Sequence, residues 1–179
     1  MTDTDPSPSS PAPPLVVVMG VSGSGKTTVG QAVAARLHLQ YEDADAFHPQ
    51  ANIDKMAAGH PLDDDDRAPW LAAIGRWLAA HDDTGGVVSC SALHRSYRDT
   101  LRSFAPRVRF LHLHGDGEVI AERMRRRPGH FMKVDMLRSQ IETLEPLADD
   151  EPGVRADITL PVDEIVEDFV SSQQIGDRS

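Results

Sequence analysis

The sequence predicts an α/β fold in which helices cover both faces of a parallel sheet. Short apolar segments alternate along the chain with longer segments of helical periodicity, the pattern of repeated strand–helix–strand units. The first segment, 15–19, is apolar at every position, as expected for a strand with both faces buried. A length of 179 residues with 40% apolar residues fits one domain of ordinary composition.

The predicted strands are the apolar, β-branched runs, and the predicted helices are stretches with apolar residues every three or four positions. In chain order the strands are 15–19, 40–43, 87–90, 108–113 and 158–160. The helices are 27–37, 49–58, 67–81, 96–104, 119–126, 133–144 and 162–170. Val29, Val33 and Leu37 share one face of the first helix, and Trp70 and Ile74 begin an apolar stripe in the third. Because strands alternate with helices, the sheet is expected to be parallel.

The chain is expected to form a single folded domain over residues 15–170. Residues 1–14 consist mainly of Pro, Ser, Thr and Asp, and such a segment buries too little apolar surface to offset its ordering entropy. We therefore predict a disordered N-terminal tail. Residues 171–179 are a weaker case of the same kind and are predicted to be a flexible C-terminal tail.

Composition excludes several function classes. The chain carries 18 Lys and Arg against 28 Asp and Glu, a formal charge of -10, whereas binders of nucleic acid or anionic membranes need a broad basic face. No apolar run approaches the ~20 residues of a membrane span, and no leader sequence is visible. The single cysteine, Cys90, excludes a disulfide framework and a thiolate-rich zinc site. We therefore expect a cytoplasmic protein that binds neither nucleic acid nor membrane.

The most specific motif is the segment 20–27, GVSGSGKT, which satisfies G-x-x-x-x-G-K-[ST] between a predicted strand and a predicted helix. Its glycines let main-chain N–H groups turn toward an anion, and the helix that follows adds unpaired donors. Lys26 is expected to reach the β- and γ-phosphates of a nucleotide, and the Thr27 hydroxyl to bind Mg²⁺. The predicted nucleotide-binding residues are Gly20, Val21, Ser22, Gly23, Ser24, Gly25, Lys26, Thr27 and Thr28.

This phosphate-binding loop (P-loop) does not by itself distinguish a kinase from a GTPase or a mechanical ATPase. One small domain is short for a mechanical ATPase, and the guanine-reading Asn-Lys-x-Asp tetrapeptide does not occur. Asp43 and Asp45 follow the second predicted strand, at the edge of the sheet where ligands bind, and they project to the same side. Asp43 is the candidate Mg²⁺ ligand and Asp45 the candidate base for an attacking hydroxyl. The alternative is that one of them caps a helix.

Together these motifs resemble the bacterial-type gluconokinases, small P-loop kinases that phosphorylate D-gluconate on its 6-hydroxyl. The resemblance covers nearly all of residues 15–170. Beyond the loop it rests on the segments 45–49 (DAFHP), 52–56 (NIDKM), 59–67 (GHPLDDDDR), 69–71 (PWL), 90–93 (CSAL), 97–99 (YRD), 127–132 (RPGHFM) and 140–146 (QIETLEP). Two positions depart from the family pattern: Ala44 stands where Gly is common, and His94 where Lys is usual.

The resemblance implies a P-loop kinase fold like that of nucleoside monophosphate kinases. It implies a five-stranded parallel sheet, a helical insert that binds the acceptor, and an arginine-rich lid at about 124–136. It also implies ATP and D-gluconate as substrates, Mg²⁺ as cofactor, and a homodimer. Asp45 would deprotonate the hydroxyl, while Lys26, Arg123 and Arg127 would stabilise the transferring phosphoryl group. His130 in the lid would contact substrate or phosphate.

A sugar acid presents a carboxylate and several hydroxyls, so its site requires a cation and short polar groups. Lys55, Arg67 and Arg98 are the candidate cations. Arg98 is the preferred one because a planar guanidinium can hold a carboxylate by two hydrogen bonds; the alternative is a solvated arginine on a helix surface. The candidate hydroxyl-binding residues are Asp45, His48 and Ser91.

Several other polar residues are ambiguous in the sequence. Of the acidic run 63–66, at most one carboxylate is expected in the site, and another is expected to cap the helix that follows. Arg67 either pairs with one of these carboxylates or contacts substrate. His112 and His114 have the spacing of metal ligands on one strand, but no third ligand accompanies them, so packing roles are expected.

Two other functions compete with gluconate phosphorylation. A shikimate kinase shares the fold and the paired aspartates, but that family usually has Gly-Gly-Gly where this chain has Cys90-Ser91-Ala92. A regulator that binds ATP without turnover is the alternative from another class, and only an assay with acceptor separates it from a kinase.

Overall fold

A computed structural model describes residues 10–126 and 133–176. Its five strands form one sheet in the order β2-β3-β1-β4-β5, and every pairing is parallel. The strands are β1 (Leu15–Met19), β2 (Tyr41–Asp43), β3 (Gly86–Ser89), β4 (Arg109–His114) and β5 (Gly153–Asp157). The predicted parallel α/β sheet is confirmed, with the fully apolar strand β1 at its centre.

Helices cover both faces of the sheet, and the side chains of β1 alternate between the two layers. Val16 and Val18 face a core that contains residues of α1, α5 and α7, whereas Leu15, Val17 and Met19 face one that contains residues of α3 and α4. The helices are α1 (Lys26–Leu37), α2 (Gln50–Ala57), α3 (Asp64–Ala80), α4 (Arg95–Phe104), α5 (Gly117–Arg125), α6 (Lys133–Thr143) and α7 (Val162–Gly176). Within the described ranges, none is long and apolar enough to cross a bilayer.

The predicted last strand at 158–160 is wrong. The strand is β5, five residues earlier, and it pairs with β4 at the edge of the sheet. Its sequence, GVRAD, alternates partly buried and exposed residues, because an edge strand need not be apolar on both faces. Ile158 is buried just after the strand, where its N–H bonds to His114 O, and Asp157 accepts hydrogen bonds from the N–H and hydroxyl of Thr159 in a turn.

Two helix boundaries also differ from prediction. α3 begins at Asp64 instead of residue 67, because Asp63 caps it and exchanges hydrogen bonds with Asp66 in a capping box. α7 continues to Gly176, so residues 171–176 are helical and the predicted C-terminal tail starting at 171 is wrong in that part. Residues 1–9 and 177–179, which carry most of the predicted tails, lie outside the described part of the chain.

Candidate active site

The P-loop joins β1 to α1 with a backbone that favours glycine at three points. Gly20, Gly23 and Gly25 have φ values of 148°, 79° and 95°, which side-chain-bearing residues rarely adopt. A Cβ on Gly20 would lie 2.8 Å from Leu113 O of β4, and one on Gly23 would lie 2.6 Å from Cγ of Met124 on α5. The loop is therefore tightly packed from the strand side and from α5, as a preformed anion cradle requires.

The start of α1 offers donors to an anion. Its N-cap is Gly25, and no side chain in the described part of the chain caps the helix, so its first amides lack a side-chain acceptor. Thr27 and Thr28 are exposed in this first turn. The Ser24 hydroxyl is buried and makes no hydrogen bond with the described residues, whereas buried polar groups are normally paired. These features fit a bound phosphate.

Lys26 contacts the P-loop and lies within electrostatic range of the carboxylates of Asp43 and Asp45. Its Nζ donates to Val21 O at 2.9 Å, so the ammonium group is held over the loop. Burial lowers the pKa of Lys26, and the neighbouring negative charges of Asp45 and Asp43 act in the opposite direction. The geometry thus brings together the predicted phosphate-binding lysine and both predicted aspartates.

Asp43 and Asp45 differ in their hydrogen bonds and exposure. Asp43 caps the short 3₁₀ turn 44–47, and its side chain accepts a hydrogen bond from Asp45 N at 2.9 Å. The alternative that one of the two aspartates is a helix cap is therefore confirmed for Asp43. The Asp45 side chain stays exposed at the edge of the sheet, where it is available to a hydroxyl group.

His48 is held by partners that the sequence did not single out. Its ring stacks on Trp70 with centroids 4.6 Å apart and planes 8° from parallel, and Trp70 Nε1 donates to Ala44 O at 2.7 Å. The buried Asn52 amide lies 3.4 Å from His48 Nδ1 and donates to Asp66 O. Burial lowers the pKa of His48, which favours a neutral ring at pH 7. The spacing of Trp70 on the apolar face of α3 was the only available signal, and it indicated core packing.

Lys55 is occupied by two carboxylates of the acidic run. Its Nζ lies 2.5 Å from Asp66 and 3.6 Å from Asp63, so it neutralises the capping box of α3. This contact fixes α2 to the start of α3. Lys55 therefore connects α2 to α3, and its predicted role toward substrate has no support from the geometry.

Arg67 has a different environment. Its Nη1 donates to Tyr97 Oη at 3.2 Å, and its guanidinium carbon lies 5.8 Å from the centroid of the Tyr97 ring. Tyr97 Oη in turn donates to Asp64 at 2.6 Å. Within the described residues Arg67 forms no ion pair, so its half-buried guanidinium retains donors for an anionic ligand.

The prediction that Arg98 binds the substrate carboxylate is wrong. The side chains of Arg98 and Glu151 are both 0% exposed, and the guanidinium donates to the carboxylate at 2.7 and 2.9 Å. Arg98 Nη1 also donates to Ala92 O at 2.9 Å and to Glu145 O at 3.0 Å. A buried arginine requires such partners, and here they leave it inaccessible to substrate. Arg98 instead supports Ala92, which has a left-handed φ of 45° directly after Ser91.

Ser91 contacts the P-loop through its backbone, whereas Arg123 of α5 contacts the residue that follows β5. The half-buried Ser91 accepts a hydrogen bond at its carbonyl from Gly20 N, and the preceding Cys90 is buried, which raises its thiol pKa to about 12. Arg123 donates from Nη2 to Ile158 O at 2.7 Å. The other predicted lid residues, Arg127 and His130, lie outside the described residues, as does much of the expected lid 124–136.

A functional contact that the sequence did not predict joins α6 to the P-loop. Ser22 N donates to Oε1 of Gln140 at 2.6 Å. The motif QIETLEP contributed to the family resemblance, but no pattern in it indicates that its first residue contacts the loop.

The comparisons with known proteins agree with this geometry. The family model described as shikimate kinase matches residues 22–167. A gluconokinase from Gluconobacter oxydans is 45% identical over 170 residues, covering 92% of this chain and 94% of that protein. The thermosensitive gluconokinase from Escherichia coli is 49% identical over 155 residues, covering 84% of this chain and 82% of that protein. The chain belongs to the gluconokinase family.

Solved structures distinguish the gluconokinase family from the wider fold. The crystal structure of a gluconokinase from Sinorhizobium meliloti is 51% identical and has a TM-score of 0.80, covering 89% of this chain and 90% of that one. Shikimate kinase structures at 14–16% identity share the fold alone. The family and the P-loop kinase fold predicted from the sequence are confirmed.

Proposed function

We propose that this chain is a gluconokinase that transfers the γ-phosphoryl group of ATP to the 6-hydroxyl of D-gluconate, giving 6-phosphogluconate and ADP. The observation that carries the proposal is the exposed Asp45 carboxylate beside Lys26 and the P-loop, on a chain whose relatives are named gluconokinases. An acceptor hydroxyl at Asp45 would lie next to the group that holds the phosphates.

In this reaction the bond from the γ-phosphorus to the bridging oxygen of ADP breaks as a bond to the gluconate oxygen forms. The proton of the hydroxyl passes to Asp45 and then to solvent. Loop amides, the start of α1 and Lys26 neutralise charge on the phosphates. Arg123 and Arg127 remain the arginines predicted to stabilise the transferring phosphoryl group. His130 remains a predicted contact to substrate or phosphate.

We propose that Mg²⁺ is held by the Thr27 hydroxyl, with Asp43 nearby. Hydroxyl and carboxylate oxygens suit this ion, which usually keeps several waters and takes its other ligands from substrate phosphates. When bound, the ion would neutralise charge on the β- and γ-phosphates.

For the acceptor, Arg67 replaces Arg98 as the proposed partner of the gluconate carboxylate. It retains donors, Tyr97 orients it, and Lys55 is already paired with Asp66. Asp45, His48 and Ser91 are the proposed partners of the hydroxyls. Because the Asn52 amide lies at His48 Nδ1, the ring nitrogen Nε2 remains for a substrate hydroxyl, and the stacking on Trp70 fixes the plane of the ring.

We also propose that the enzyme is cytoplasmic, acts as a homodimer and binds neither nucleic acid nor membranes. The net charge of -10 supports the last two points. The dimer rests on the family resemblance, and analytical ultracentrifugation of the purified chain tests it.

A substrate panel tests the function. ADP release is followed by a coupled assay with ATP and gluconate, shikimate or nucleoside monophosphates as acceptor, and without acceptor. We expect ADP release that depends on gluconate. Turnover only with shikimate would replace the proposed acceptor, and ATP binding without acceptor-dependent release would identify a nucleotide sensor.

A further inference from the structure

A side chain of α6 occupies a position in the P-loop that a nucleotide needs. Gln140 Oε1 accepts a hydrogen bond from Ser22 N at 2.6 Å. Ser22 lies within the loop whose main-chain amides cradle phosphate in this motif. The amide carbonyl oxygen of Gln140 therefore binds a main-chain donor of the phosphate-binding loop.

A second group of the loop is satisfied internally in the same way. Lys26 Nζ donates to Val21 O, the carbonyl adjacent to Ser22. Buried or half-buried donors are costly when unpaired, so these loop donors need an acceptor, either from the protein or from a phosphate. Gln140 supplies such an acceptor from outside the loop.

The helix that carries Gln140 is anchored near this residue. Leu144 N donates to Gln140 O, and Glu145 N donates to Leu93 O, just before α4. Glu145 O accepts from the buried Arg98, and the Glu145 carboxylate accepts from Arg95 N at the start of α4. Because these hydrogen bonds hold this end of α6, we expect exchange of the Ser22 partner to involve the Gln140 side chain and not a shift of the helix.

We propose that Gln140 is a positioning residue of the nucleotide site: its carbonyl oxygen holds the Ser22 N–H in the empty enzyme, and a nucleotide phosphate oxygen displaces it. The inference rests on the proposed nucleotide-binding function. It follows that Gln140 competes with every nucleotide that binds the loop, so the side chain weakens binding of substrate and product alike and favours release of ADP.

The test measures ADP affinity by calorimetry for the wild type, Gln140→Ala and Gln140→Met, with Ser139→Ala as the neutral control on the exposed neighbouring position. Both Gln140 variants should bind ADP about 2- to 10-fold more tightly, the range given by loss of one competing hydrogen bond. Gln140→Glu keeps an acceptor and adds a negative charge beside the phosphates, so it should bind ADP more weakly than the wild type.

Amide hydrogen exchange at Ser22 provides a second readout that a purely structural role would not move. The amide should be protected in the empty wild type, exposed in empty Gln140→Ala, and protected again in both when ADP is added. Weaker or unchanged ADP binding by the folded Ala and Met variants would overturn the proposal. Wild-type protein that binds no ADP would instead overturn the proposed function.

Discussion

Removing the charge of Arg98 separates a structural role from a substrate-binding one. In Arg98→Met the Glu151 carboxylate stays fully buried and retains only the hydrogen bond from Ala148 N. Breaking one side of a buried ion pair costs about 3–5 kcal/mol in the free energy of unfolding. At about 2–4 °C per kcal/mol for a chain of this size, the melting temperature should fall by about 6–20 °C.

The pH dependence of stability should also change sign. In the wild type, burial alone would raise the pKa of Glu151, but hydrogen bonds from Arg98 and Ala148 outweigh it and hold the pKa below its ordinary value. This pair therefore stabilises the fold above the unfolded-state pKa of about 4.3, and its contribution is lost as pH falls through the lowered folded pKa. In Arg98→Met burial dominates, so the folded state binds the proton more tightly and stability should rise as pH falls from 7.

The assay is urea unfolding at pH 7 and pH 5, combined with the KM for gluconate. Arg98→Met should be destabilised with an unchanged KM, and Arg98→Met/Glu151→Leu should recover most of the stability, because it removes both charges. If the free energy of unfolding of Arg98→Met lay within about 1 kcal/mol of the wild-type value while its KM for gluconate rose tenfold, the structural role would be refuted. Arg98 would then belong to the substrate site.

Three further predictions follow from the site. Asp45→Asn should lower kcat by about 10²–10⁴ with ATP affinity, measured by calorimetry, nearly unchanged; unchanged turnover would remove Asp45 as the base. Arg67→Met should raise the KM for gluconate about 10- to 100-fold, the range for a lost charge-assisted hydrogen bond. Tyr97→Phe should raise this KM less. An unaffected KM of Arg67→Met in steady-state assays would assign the gluconate carboxylate to another group. Asp63→Ala should cost about 1 kcal/mol in urea unfolding through loss of the α3 cap, whereas Asp63→Asn should retain most of it.

Local patterns in the sequence were sufficient for the sheet and the P-loop. A fully apolar β1 and the glycine spacing of the loop are determined by neighbouring residues, so they can be read from a short window. The edge strand β5 has no such signal, since only part of its surface is covered. The apolar residues at 158–160 were therefore mistaken for the strand itself.

The roles of the charged residues depended on partners distant in sequence. Arg98 meets Glu151, 53 residues away, and Lys55 meets Asp66 across the loop between α2 and α3. Residue type alone could not show that Arg98 is buried, and its guanidinium suits a carboxylate of the protein as well as one of a ligand. The same limit applies to Gln140 and Ser22, which are 118 residues apart.

The segment between β2 and the middle of α3 contacts the rest of the molecule mainly through side chains, including those of Arg67 and Asp64, which both hydrogen-bond to Tyr97 of α4. Between β2 and the middle of α3 the chain contributes no strand to the sheet. Under the proposed function, exchange of this segment would change which alcohol is phosphorylated and would leave the P-loop and α1 unaltered.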